Sequence, residues 1–189
     1  MKLYKAKDFS RLVGIGGLSE TLLKTHFTLY HGYVANSVKI AGMLETAEKE
    51  TPEYNELKRR FGWEFNGMRL HELYFGNLTK NFKPIKNNSV LFKKLLRDFG
   101  GYENWEADFK ATGNMRGIGW AILYYDKISD KLFNMWINEH DAGHPAGGMP
   151  LLVMDVFEHA FMPDRLSKSD YINIFFNSID WKSVENRLK

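Results

Sequence analysis

Cysteine and glutamine are both absent from the 189 residues. Without cysteine the chain forms no disulfide, no iron–sulfur cluster and no thiolate zinc site. Without glutamine, any position that calls for a neutral side-chain amide must use asparagine or another donor. No run is long and apolar enough to cross a bilayer, and the opening "MKLYKAKDFS" lacks the apolar core of a signal peptide. These absences favour an intracellular, cytoplasmic enzyme with no membrane partner. Neither sign of charge dominates: 26 Lys and Arg against 23 Asp and Glu leave a formal charge of +3. The charges are interleaved, as in "AEKETPEYNELKRR", and not gathered in a stripe, which argues against a nucleic-acid partner. The mild positive bias would still help a small anionic substrate arrive.

Aromatic residues, by contrast, are plentiful at 15%. Rings fill cores and also wall off sites that must exclude water. From Ser19 to about Leu44 the apolar spacing is helical, and Thr51 followed by Pro52 suits the start of a second long helix read over "ETPEYNELKRRFGWEFNGMRLHELYFGNLT". The short connection between the two predicts an antiparallel hairpin. Pro84 and the Asn87–Asn88 pair break the pattern, so residues 1–84 are expected to form an N-terminal helical hairpin domain and 85–189 a C-terminal α/β domain. In the second half, helices over "SVLFKKLLRDFG" and "YENWEADFKAT" precede strand-like runs "GIGWAILYYD", "LFNMWIN" and "MPLLVMDV", and the tail from Ser169 returns to helix. The expected fold class is α+β, with a three-stranded antiparallel sheet.

Four side chains in this pattern carry metal-ligand chemistry. His26 shares an apolar helical face with Leu22, Leu23 and Leu29, and His71 is placed in the same way among Met68, Phe75 and Leu78. Alone, each reads more readily as a core or interface histidine than as a metal ligand. Asp155 and His159 leave the apolar run "LLVMDVFEHAF" and alone read as a helix cap and a surface pair. Taken together they offer three nitrogens and one oxygen, a donor set for manganese, iron or zinc more than for calcium or magnesium.

These segments resemble the iron/manganese superoxide dismutases. "DVFEHAF" is similar to the family signature Asp-x-Trp-Glu-His-Ala-Tyr, with Phe157 where the family usually has Trp. "LLKTHFTLYHGYVAN" resembles the first-helix motif and "FNGMRLHELYFGNL" the second. "LLRDFGGYENW", "GIGWAIL" and "NSIDWKSVENR" follow in the family's order. The resemblance implies one Fe or Mn ion per subunit, with His26, His71, Asp155 and His159 as ligands. It implies a dismutase that alternates the ion between trivalent and divalent states, turning two superoxide anions into dioxygen and hydrogen peroxide. It further implies that Glu158 hydrogen-bonds to the ligand histidine of a second subunit, hence a homodimer or tetramer. Zinc would fill such a site but cannot change oxidation state. A different non-haem iron oxidoreductase, or a catalytically poor interaction protein on the same fold, are the competing readings.

The family commonly places a glutamine beside the metal-bound solvent, which this chain cannot do. On the second helix the matching position is Gly67, which is expected to leave space. In the loop "NEHDAGHPAGG", Glu139, His140 and His144 are available, and His140 matches family members that use a histidine. As a group able to titrate near neutrality, His140 is expected to lend activity a pH dependence. Tyr30 and Tyr33 lie within about 40° of the His26 face and are expected to relay protons; His31 points away. Trp120, Phe75 and Phe157 are expected to wall the metal cavity, while Trp63 and Trp136 serve packing. Met162 stands where the family has a tyrosine that reaches across the dimer, so Tyr30 is expected to pack on Met162 at that interface.

Overall fold

The computed structural model describes residues 4–188. A single 3-10 turn at Ser10–Leu12 leads into α1 (Glu20–Thr46) and α2 (Pro52–Gly76). Ser19 caps α1, its hydroxyl accepting from the Leu22 N–H, and Thr51 caps α2 in the same way for Tyr54, with Pro52 at the first helical position. Only five residues separate the helices, so they return antiparallel and bring His26, near the start of α1, beside His71, near the end of α2: the two rings lie 5.1 Å apart.

The second half begins with α3 (Val90–Phe99) and α4 (Tyr102–Asn114), hinged at Gly100 in a left-handed conformation. Strands β1 (Gly119–Asp126), β2 (Lys131–Asn138) and β3 (Met149–Asp155) follow, and α5 (Lys168–Phe176) and α6 (Trp181–Asn186) close the chain. The sheet is antiparallel in the order β2-β1-β3, with Trp120 paired to Asp155 on one side and to Ile137 on the other. Gly119 makes this possible. A Cβ there would meet the Ile137 carbonyl oxygen at 2.0 Å, and φ is +130°.

β1 and β3 are buried along nearly all their length, with α4 packed against β1 and α2 against β3. One apolar core therefore runs from Leu22, Leu23 and Phe75 of the hairpin into Trp120, Val153 and Phe175 of the second half. Polar ties fix the seam. Asp164, after the last strand, accepts from both the N–H and the hydroxyl of Ser19 at 2.6 and 2.5 Å, which pins the start of α1 to the segment carrying His159. The expected class and the three-stranded sheet agree with this architecture.

Candidate metal centre

Each half supplies two members of one cluster. His26 comes from α1 and His71 from α2; Asp155 is the last residue of β3, and His159 lies in the 3-10 turn Glu158–Ala160 that follows it. One potential ligand atom from each falls within 4.8 Å of all the others. All three imidazole Nε2 atoms face the same carboxylate oxygen, Asp155 Oδ2, at 3.0 Å from His26, 3.3 Å from His159 and 3.6 Å from His71. The other oxygen, Oδ1, accepts from the Phe157 N–H at 2.8 Å, so the turn after β3 holds the carboxylate with Oδ2 turned inward.

The hydrogen bonds test whether a cation fits. His71 Nδ1 donates to the Gly67 carbonyl, 2.6 Å away and four residues back on α2. A neutral imidazole carries one proton, so Nε2 of His71 is left with a lone pair facing the Asp155 carboxylate. Two acceptors then confront each other in a dry interior, and His71 Nε2 has no hydrogen-bond partner. An orphaned buried nitrogen is costly. A cation between the two groups relieves both, and three imidazole nitrogens with one carboxylate oxygen match iron or manganese.

Burial presses His71 well below the ordinary imidazole value, and neighbouring His26 adds to the depression. Burial lowers His26 as well, against the pull of Asp155. For Asp155 burial alone would raise the value, but His159 and His26 outweigh it and hold the carboxyl well below the usual range. At His159 burial works downward, and the Asp155 charge overcomes it to leave the imidazole raised.

Around the cluster lies a ring of aromatic groups. Trp120 meets His71 edge-on at 5.0 Å, Phe75 meets His26 at 4.9 Å, and Phe157 stacks on His159 at 5.2 Å. His140 is completely buried although it sits in a loop. Its Nδ1 accepts from the Trp120 indole N–H at 3.1 Å, and its Nε2 lies 2.9 Å from the Tyr33 hydroxyl. Indole only donates, so His140 Nδ1 is bare; Nε2 carries the proton and donates to Tyr33. The Tyr33 phenolic hydrogen is thereby free for another acceptor. His144 braces the loop, its ring reaching the His140 carbonyl and the Tyr124 hydroxyl, both at 2.8 Å.

A family model for the C-terminal domain of iron/manganese superoxide dismutases matches residues 87–187. A protein of Aquifex pyrophilus described as an iron superoxide dismutase is 34% identical over 97% of this chain and 90% of its own length. The chain belongs to the iron/manganese superoxide dismutase family. Other relatives divide between the two metals. An iron superoxide dismutase of Cupriavidus metallidurans is 34% identical over 90% of this chain and 88% of its own. A manganese superoxide dismutase of Haloferax volcanii is 30% identical over 87% and 83%.

Within this family member, five expectations from the sequence need correction. Tyr30 offers no open surface on which a second subunit's Met162 could pack. It is fully buried, its hydroxyl accepting from the Lys7 N–H at 2.9 Å and donating to Glu72 at 3.1 Å, while Met162 is 54% exposed. That anchoring also withdraws the Tyr30 hydroxyl from a proton relay at the cluster. Gly67 leaves no free space, because the Tyr33 ring occupies it: a Cβ at 67 would lie 2.6 Å from Tyr33 Cδ1. The bare glycine lets Tyr33 stack on His71 at 5.1 Å.

In the metal-free protein, burial draws the His140 value down to about 4 against the pull of Asp155, away from the neutral range expected of it. Trp63, finally, does more than pack. Its ring lies 4.6 Å from His140 and 5.6 Å from Tyr33, its N–H donates to Glu139 at 3.2 Å, and the Arg60 guanidinium covers it at 4.1 Å. The signal for Trp63 was its spacing: 63, 67 and 71 share one stripe of α2. Trp136, by contrast, lies over Gly117.

These shifts set a sign for the metal-free protein. His26, His71 and His140 bind fewer protons when folded than when unfolded, so their neutral forms stabilise the fold above the ordinary imidazole value near 6.5. That contribution is lost as pH falls through their folded values, toward about 4 for His140. His159 runs the other way: its contribution is complete below 6.5 and lost as pH rises through its raised value. With three groups against one, the melting temperature of the metal-free protein is expected to drop between pH 7 and pH 4. A flat profile in calorimetry would show that these rings are not held neutral by burial.

Proposed function

We propose that the protein dismutates superoxide on one iron or manganese ion per subunit, held by His26, His71, Asp155 and His159. The observation that carries this reading is the orphaned His71 Nε2 facing Asp155 inside the four-residue cluster, in a chain whose relatives are described as iron and as manganese superoxide dismutases. The bound ion would supply one exchangeable electron, so that one superoxide leaves as dioxygen and a second, with two protons, as hydrogen peroxide.

The chain's own groups do the rest. Trp120 and Tyr33 hold His140 between them, and the Nε2 proton keeps the phenol oriented with its own hydrogen available to an incoming oxygen species. Burial pushes the Tyr33 phenol up to about 12, with Asp155 adding to the shift, so it stays protonated and serves as a donor at neutral pH. Trp120, Phe75 and Phe157 exclude bulk water, which strengthens every charge interaction inside.

The same proposal covers the assembly. Glu158 is exposed, and the His159 side chain keeps 23% of its surface open, beside Met162. A second copy bringing its Glu158 to His159 would close that opening and make a homodimer. We also divide the chain after Pro84, a reading supported by the C-terminal domain match beginning at residue 87. No helix among the described residues is long and apolar enough to cross a membrane, in keeping with a cytoplasmic location.

The test is metal analysis and a superoxide-scavenging assay on protein stripped and reloaded separately with iron and with manganese. One ion per chain, and activity restored by at least one of the metals, is the expected result. Stoichiometric uptake with no scavenging by either form would refute the assignment.

A further inference from the structure

The last turn of α2 is held by arginines from both ends of the chain. Arg11 donates to the carbonyls of Leu78 at 2.9 Å and Phe75 at 3.2 Å. From the other end, Arg187 donates through Nη2 to the Leu73 carbonyl at 2.8 Å. Through Nη1 it reaches the Leu151 carbonyl at 2.6 Å and Asn77 Oδ1 at 3.2 Å. All three of these bonds end on uncharged oxygens. The guanidinium is half-buried, and Gly76 leaves it room, since a Cβ there would sit 3.2 Å from Nη2. Its charge suits the carbonyl-rich C-terminal end of a helix.

Asn77 completes the contact. Its Nδ2 donates to the Tyr74 carbonyl at 2.9 Å and the Val153 carbonyl at 3.2 Å, and its Oδ1 accepts from the Val153 N–H at 3.1 Å. Strand β3 lies at the edge of the sheet. Its outer backbone groups therefore find partners on a helix end in place of another strand. Leu73 is two residues from His71, and Val153 two from Asp155. α2 is unbroken between His71 and Leu73, and beyond the register shift at Leu151 the residues Val153 to Asp155 pair in step with Ile122 to Trp120, so the spacing of the bonded groups is passed on to the cluster.

We infer that Arg187, acting with Asn77, is a positioning residue of the metal centre: it sets the distance between His71 on α2 and Asp155 on β3. The inference rests on the proposed metal site, and it concerns geometry more than stability. Groups that orient ligands without touching the ion commonly change metal affinity by about 10-fold to 100-fold when removed.

The experiment compares Arg187→Met and Arg187→Lys with Arg97→Met, a control in the ion-pair network between α3 and the β1–β2 turn. In the metal-free full-length protein, nitrogen NMR of the His26 and His71 rings reports their environment. In the loaded protein, competition with a chelator reports Mn(II) affinity, and electron paramagnetic resonance reports the symmetry of the site. Arg187→Met is expected to shift both ring resonances, lower Mn(II) affinity about tenfold and alter the resonance pattern. Arg187→Lys, which keeps the charge but lacks the planar fork that spans the Leu73 and Leu151 carbonyls, should recover part of this and stands in should the Met variant fail to fold.

If the Arg187 variants and Arg97→Met lower the melting temperature alike, while ring resonances and Mn(II) affinity stay put, the inference is overturned and Arg187 is a structural staple. Should the unaltered protein bind neither Mn(II) nor iron at the cluster, the proposed function fails; the ring resonances of the metal-free variants still decide the positioning role.

Discussion

Asp155→Ala is expected to strip the protein of metal and, with it, of superoxide-scavenging activity. All three Nε2 atoms converge on Asp155 Oδ2, and this is the one anionic donor in the cluster. Removing it leaves three neutral or cationic imidazoles around a dry space, where a divalent or trivalent ion has no charge to offset its lost hydration. Removing a partner that only orients a ligand commonly costs about 10-fold to 100-fold in affinity, and losing the ligand itself costs more, so affinity should fall by more than about 100-fold. The measurement is metal content after dialysis against chelator, alongside activity per chain. The fold should survive, because the carboxylate contributes no apolar packing and β3 keeps its pairing with β1. A variant that retains one ion per chain and ordinary activity would place the site elsewhere.

Much of this site was legible in the residues because its main cues are local. Ser19 and Thr51 announce two helices, and the His26 and His71 faces follow from a period of 3.6. Asp155 and His159 stand four apart at the exit of the most apolar strand. What was not legible depends on contacts between distant parts of the chain. Tyr30 faces the cluster by helical geometry, yet its hydroxyl is captured by Lys7, 23 residues away, and Glu72, 42 residues away.

The glycine at 67 reads as a gap along α2, and only the approach of α1 reveals that the Tyr33 ring fills it. His140 reads as a loop histidine able to titrate near neutrality; its burial comes from Trp120 on β1, Trp63 on α2 and Phe157 after β3. Periodicity reports which face a residue occupies. It carries no information about which distant group will meet that face.

That convergence on His140 makes its substitution the second large effect. His140→Ala is expected to keep metal content high while lowering activity by about 100-fold or more, the usual range for removing a positioned proton-transfer group. Two consequences of the change must be separated. Taking away a buried imidazole leaves the Trp120 N–H unpaired, a cost of about 1–3 kcal/mol that lowers the melting temperature whatever the chemistry. It also frees the Tyr33 hydroxyl, which loses the donor that orients it.

His140→Gln distinguishes the two, because an amide can accept from the indole with its oxygen and donate to the phenol with its nitrogen. If proton orientation is what His140 provides, the Gln variant should recover a large share of the activity as well as the stability. If Gln restores the melting temperature but leaves activity as low as in the Ala variant, the imidazole itself is required. Full activity in His140→Ala would remove the residue from the mechanism altogether. It would leave Tyr33, still seated on Gly67 against His71, as the donor nearest the cluster.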